Sequence, residues 1–164
     1  MAKWPGIPAV YGWLLLDRRG EWRIRTGPEE MASFERIGNA ALREFIARNY
    51  ASDERGRWYF QNGPQRVFVR LAYTPRVWRL EGEHLRDHCG QAAQAPLEAW
   101  LDEEGSLILA DERGVGVLDD RDLARVAEGI VDATISIGGI EARLGTIAGS
   151  EIPRRFGFQR EPRP

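Results

Sequence analysis

Apolar and polar residues alternate with a period of two through much of this chain, the pattern of half-buried β-strands. Residues 10–16 and 22–26 read as a first hairpin, with Trp22 and Ile24 on one face and Arg23 and Arg25 on the other. Residues 57–61 and 65–72 read as a second, turning through Asn62-Gly63-Pro64, with residues 76–80 as an adjoining strand. Residues 97–101 and 106–110 read as a third, extended by 115–118. A further strand is placed over 140–147, in a stretch rich in Gly, Ile and Ala.

Helical spacing appears twice. Asn39 is suited to cap a helix carrying Leu42, Phe45 and Ile46, and Asp119 or Asp120 to cap one carrying Leu123, Val126, Ala127 and Ile130. The bends share one composition. Asp17-x-x-Gly20, Asp53-x-x-Gly56, Asp102-x-x-Gly105 and Asp111-x-x-Gly114 each stand before strand-like sequence. Asp opens such a turn by accepting from nearby backbone N–H groups, and Gly supplies the left-handed residue that closes it. Leu16-Asp-x-x-Gly-x-Trp-x-Ile24 lines up with Leu101-Asp-x-x-Gly-x-Leu-x-Leu109, and each precedes a helix. That alignment suggests a two-half pseudo-repeat; the alternative is that hairpins of one turn type simply look alike.

The expected fold is α+β: a mainly antiparallel sheet of about six to eight strands built from Asp-x-x-Gly hairpins, with two principal helices. Its core includes Trp13, Leu15, Trp22, Phe60, Val67 and Leu109. Residues 1–152 form one domain and 153–164 a basic extended tail that Phe156 and Phe158 pin to the body.

Composition narrows the class. Hydrophobic residues at 43% and charged residues at 29% exclude a disordered chain. One cysteine, Cys89, excludes an internal disulfide framework. Residues 4–16 are uncharged and follow Lys3, loosely like a signal peptide. Pro5, Gly6, Pro8 and Gly12 interrupt the run, no small-residue cleavage site follows, and it is too short for a membrane helix. A first strand, cytoplasmic residence and no membrane association are expected. Net charge is −2, but residues 1–80 carry +6 and residues 81–164 carry −8. Lys3 is the only lysine, so the cations are arginines, which bind carboxylate and phosphate in a fork and stack on rings. Either the halves neutralise each other, or a basic face meets an anionic partner.

Catalytic and metal signatures are sparse. His84, His88 and Cys89 are the weak candidates for a soft metal; a helix would put the two histidines on one face, and a solvated loop is the plainer expectation. Cys89 beside His88 is a poor nucleophile pair, because sequence neighbours rarely hold that geometry. There is no Gly-x-Ser-x-Gly elbow and no phosphate-binding Gly-rich loop with its lysine. No catalytic residue and no cofactor are expected.

The stronger signal is Arg interleaved with aromatic residues on predicted strands. Arg23, Arg25, Arg57, Arg66, Arg70 and Arg79, with Asn62 and Gln65 at the second turn, form the candidate binding set. Such a face binds a protein partner or a second copy of the chain; alternatively it binds single-stranded nucleic acid by charge and stacking. An enzyme of unrecognised type is the remaining alternative.

The run Glu54-Arg-Gly-Arg-Trp-Tyr-Phe-Gln-Asn-Gly-Pro-Gln-Arg-Val-Phe-Val69, with Leu118-Asp-Asp-Arg-Asp-Leu123 and Arg155-Phe-Gly-Phe158, resembles an uncharacterised proteobacterial domain-of-unknown-function family. The resemblance covers nearly the whole chain, from Tyr11-Gly12-Trp13 to the tail. It implies a free-standing bacterial domain and no nameable activity.

Overall fold

Aspartate-led turns shape the hairpins. The backbone N–H of Asp17, Asp53 and Asp102 donates to the carbonyl four residues on, each at 3.0 Å. In return, each Oδ1 accepts from the N–H of that same residue: Glu21 at 2.9 Å, Arg57 at 2.9 Å and Ser106 at 2.8 Å. Asp87-His88-Cys89-Gly90 makes the same turn, with Asp87 bonded to Gln91 in both directions at 2.9 Å. Asp111 and Gly114 differ, being paired across a tighter two-residue loop.

The structure is a computed structural model that describes residues 4–164, and only the backbone of Glu30; Lys3 lies outside the described residues. The chain forms two units: one from residues up to 17, 21–73 and 157–164, the other from 18–20 and 74–156.

The first unit holds β1 (Ala9–Leu16), β2 (Trp22–Thr26), β3 (Ser33–Arg36), α1 (Ala40–Arg48), β4 (Tyr50–Ser52), β5 (Trp58–Asn62) and β6 (Gln65–Leu71). Its six-stranded sheet runs β3-β2-β1-β6-β5-β4. Asn39 caps α1, its Oδ1 accepting from the Leu42 N–H at 3.0 Å. The helix buries Ile46 and sets Phe45 edge-on to Phe60 at 5.4 Å.

The second unit holds β7 (Arg76–Glu81), β8 (His84–Asp87), β9 (Glu98–Leu101), β10 (Leu107–Asp111), β11 (Gly114–Leu118), α2 (Leu123–Ala127), β12 (Ile130–Val131), β13 (Thr134–Ile137), β14 (Ile140–Thr146) and α3 (Ile152–Phe156). Its eight-stranded sheet runs β12-β13-β14-β9-β10-β11-β7-β8. Trp78, Leu97, Leu107, Leu109, Val126 and Ile135 lie in its core.

The α+β class stands and most neighbouring strands are antiparallel, but there are two sheets rather than one, and each is mixed. β1 runs parallel to β6, β7 to β11 and β9 to β14. A hairpin forces antiparallel neighbours, whereas a strand that returns after a long connection is free to run either way. That freedom leaves no trace in local alternation. Nor does β7 adjoin the second hairpin; it pairs with β8 and β11 in the second sheet.

The two units repeat one strand plan. A three-strand meander, a helix and three more strands give β3-β2-β1-β6-β5-β4 in the first and β11-β10-β9-β14-β13-β12 in the second. The registers agree. Leu16 pairs with Trp22 and Leu71, and Leu101 pairs with Leu107 and Thr146. The Ala72 N–H donates to the Leu16 carbonyl at 2.9 Å, and the Ile147 N–H to the Leu101 carbonyl at 3.0 Å. Hairpin β7–β8 is the addition that widens the second sheet.

One phase is reversed from expectation. Val10, Leu14 and Leu16 are buried, while Trp13 and Leu15 point to the opposite face and are only half-buried. Residues 13–16 are uniformly apolar, so alternation fixes no phase there. Pairing does: Leu14 sits opposite Ile24 and Leu16 opposite Trp22, on the face that carries the core.

Candidate binding face

The opposite face of the first sheet collects arginines and rings. Leu15 pairs with both Arg23 and Arg70, Tyr59 with Phe68, and Gln61 with Arg66, so these side chains share one surface. Tyr11 and Phe68 are stacked, their centroids 4.6 Å apart and their planes 4° from parallel. Arg57 covers Phe68 at 4.6 Å, Arg66 covers Tyr59 at 4.3 Å and Arg25 covers Trp13 at 3.9 Å. The Arg25 Nε is buried with no hydrogen-bond partner among the described residues.

Arg57 is fixed from several sides. Its Nε donates to Asp53 Oδ2 at 2.8 Å, and its Nη1 to the Tyr11 hydroxyl at 3.0 Å and to the Arg163 carbonyl at 2.9 Å. Burial pushes the Asp53 carboxyl up, but the backbone and side-chain hydrogen bonds from Arg57 outweigh it, aided by the Arg55 N–H, and hold the group below the ordinary aspartate range. Arg23 is held in the same way, its Nε donating to Asp17 Oδ2 at 2.7 Å. The turn aspartates thus use one oxygen to close the bend and the other to orient an arginine.

Beside the Tyr11–Phe68 stack lies a groove of about 210 Å³, lined by Gly12, Glu29, Arg70, Glu161, Pro162 and Arg163 as well as the two rings. Arg70 Nη2 lies 3.1 Å from Glu161, both side chains being about half exposed. Just before it, the chain is tied to the unit through backbone. The Gln159 N–H donates to the Gly56 carbonyl at 2.9 Å, the Leu71 N–H donates to the Arg160 carbonyl at 2.8 Å, and Phe158 is buried.

The remaining expected residues lie elsewhere. Arg79 is on β7 of the second sheet, donating to the Arg19 carbonyl, so it does not join this face. Asn62 donates to Gln65, whose amide donates to the carbonyls of Pro5 and Ile7 and accepts from the Trp4 indole. Both tie down the segment before β1 and do not face the groove.

His84, His88 and Cys89 lie on no helix: His84 opens strand β8, and His88 and Cys89 fill the Asp87 turn. Four strand residues put the histidine backbones about 13 Å apart. His88 Nδ1 accepts from the Val77 N–H at 3.1 Å. Burial, then the neighbouring Asp87 charge, pushes the Cys89 thiol up to about 12, so it is protonated at neutral pH. Among the described residues, no group of three His, Cys, Asp or Glu is placed to hold a metal ion.

Sequence reasoning missed a buried arginine that holds two aspartates. Arg76, 3% exposed, donates through Nε to Asp87 at 3.0 Å and through Nη1 to Asp111 at 2.7 Å, and lies 4.1 Å over the Trp78 ring. The signal was the fifth Asp-x-x-Gly, at Asp87, because such a turn leaves one carboxylate oxygen for an arginine.

Residues 1–163 match the model of family DUF2944, described as "Protein of unknown function (DUF2946)". The chain belongs to this family. The resemblance to an uncharacterised domain family is thereby borne out, and the family carries no known activity. A DUF1285 family protein from Silicibacter pomeroyi DSS-3 is 16% identical, with TM-score 0.53, covering 83% of this chain and 80% of its own; the likeness is one of fold. A DUF1285 family protein from Shewanella baltica OS155 is 13% identical, with TM-score 0.45, covering 72% of this chain and 92% of its own. No curated protein matches the chain. Among the described residues, no helix is long and apolar enough to cross a membrane.

Proposed function

We propose that this family member is a non-catalytic interaction module, and that the arginine-bearing face of its first sheet binds an acidic segment of a protein partner. The single, half-buried thiol of Cys89 suits a cytoplasmic setting for that partnership. The carrying observation is that the rings on this face are already covered: Arg57 lies over Phe68, Arg66 over Tyr59 and Arg25 over Trp13. Single-stranded nucleic acid needs bare ring faces for its bases. Carboxylates need oriented guanidinium forks, and Asp53 and Asp17 orient two of them.

The test is a fluorescence titration of the full chain, at low salt, with a labelled Glu-rich peptide and with labelled oligo-dT. The peptide is expected to bind, and the combined substitution Arg57→Ala, Arg66→Ala and Arg70→Ala to weaken it by about tenfold. Absence of peptide binding overturns the proposal, as does binding that survives the triple substitution. Tighter binding of oligo-dT would assign the face to nucleic acid instead.

A further inference from the structure

Part of the chain itself forms one wall of the groove beside the Tyr11–Phe68 stack. We propose that Glu161-Pro162-Arg163, held beside the groove by Arg70 and Arg57, is an internal stand-in, and that the partner bound there is a peptide of the same chemistry: a carboxylate side chain followed by proline. This deepens the reading of the face as an acidic-partner site and rests on it.

Three observations converge. First, Glu161 and Arg163 each precede a proline, which disfavours helix, and past a bend at Arg160 and Glu161 the segment joins no helix or strand. Its carbonyls are therefore open to a donor, and Arg57 Nη1 takes that of Arg163 at 2.9 Å. Second, the charge is read by Arg70, 3.1 Å from the Glu161 carboxylate. Third, Pro162 lines the same groove as Tyr11 and Phe68, and aromatic-walled grooves suit the rigid, pre-extended form of proline-containing peptides.

The attachment is graded along the segment. Residues 158–160 are fastened by a buried Phe158 and by backbone bonds at Gly56 and Leu71. Beyond Arg160, the described contacts are the half-exposed Arg70–Glu161 pair, the Arg57 bond to the Arg163 carbonyl and the Glu161–Arg163 pair at 3.6 Å. Exposed ion pairs are weak and salt-sensitive. The last residues can thus leave the groove while the anchor at Phe158 stays, and a competing peptide meets a site already shaped for it.

The probe is a labelled peptide, Arg-Glu-Pro-Arg-Pro, titrated into the full chain. The full-length substitution Glu161→Gln, which weakens the internal occupant, is expected to tighten probe binding by about two- to fivefold. Replacing Glu by Gln in the probe is expected to weaken it to a similar degree, and Arg70→Glu to abolish it. On saturation, the amide NMR signals of Glu161 and Arg163 are expected to move to unstructured positions while that of Gln159 stays. The inference is overturned if those signals stay in place as the probe binds, or if Glu161→Gln leaves the affinity unchanged. It is also overturned by a concentration-dependent dimer that the probe cannot dissociate, since a second copy would then own the groove. If the Glu-rich peptide still binds through the arginine face in any of these cases, the broader reading survives; if neither peptide binds, that reading has failed as well.

Discussion

Asp111 accepts a hydrogen bond from Arg76 at 2.7 Å with the two side chains 0% and 4% exposed. A guanidinium removed from water depends on its partners, and losing one leaves charge uncompensated. Asp111→Ala is expected to destabilise the protein by about 3–5 kcal/mol, read as a lower denaturation midpoint in urea. A loss within about 0.5 kcal/mol, the range for ordinary surface changes, would show that the pair is not structural.

The same pair sets an acid limit. Burial pushes Asp111 up, but the Arg76 hydrogen bond and charge and the Arg113 and Gln94 N–H groups together outweigh it, and the carboxyl titrates below its ordinary value. Asp53 is depressed likewise. Groups with lowered folded values contribute stability at pH above the unfolded aspartate value and lose it as pH falls through the folded ones. Stability followed by tryptophan fluorescence is therefore expected to drop below about pH 4, and to drop less steeply in Asp111→Ala. An equal slope in both proteins would contradict this assignment.

Cys89 is the reverse case. Its raised value means that the native thiol stays protonated as pH climbs past 9.0 toward about 12, while the unfolded thiol ionises. Stability from this group is present below the unfolded value and declines above it. Alkylation by iodoacetamide at pH 8 is expected to be at least about tenfold slower in the native protein than in urea. Equal rates would place the thiol in a reactive setting.

Gly56 holds a left-handed φ of 76°, and a Cβ there would run into the Gly157 carbonyl. Gly56→Ala is expected to cost about 1–3 kcal/mol and to loosen residues 157–164, seen as faster proteolysis of that segment. Unchanged protease resistance would show that the segment is held without this close approach.

Much of the local structure was legible in the chain because its bends have chemistry. An Asp that closes a turn on its own backbone, with Gly at the left-handed corner, can be read from four residues, and so can Asn39 as a cap. Parallel pairing could not be read. Nothing near Leu14 reports that Val69 will lie beside it, since that meeting depends on the return of the chain after α1, β4 and β5. The facing of Trp13 was hidden for a related reason: four apolar residues in a row carry no phase until a neighbour supplies one. The arginines were visible as a set, but not the division of labour among them. Arg23 and Arg57 serve their turns, Arg70 meets Glu161, and Arg79 belongs to another sheet.

The doubled strand plan means that the molecule carries its own blank. Where the first copy places Arg23 opposite Leu15 and Arg70 beside it, the second places Ile108 opposite Trp100 and Gly145 beside it. The scaffold closes without those guanidinium groups, so they were free to be chosen for what they touch. Moving them onto the second copy, or erasing them from the first, is expected to carry the proposed recognition with them and leave the architecture intact.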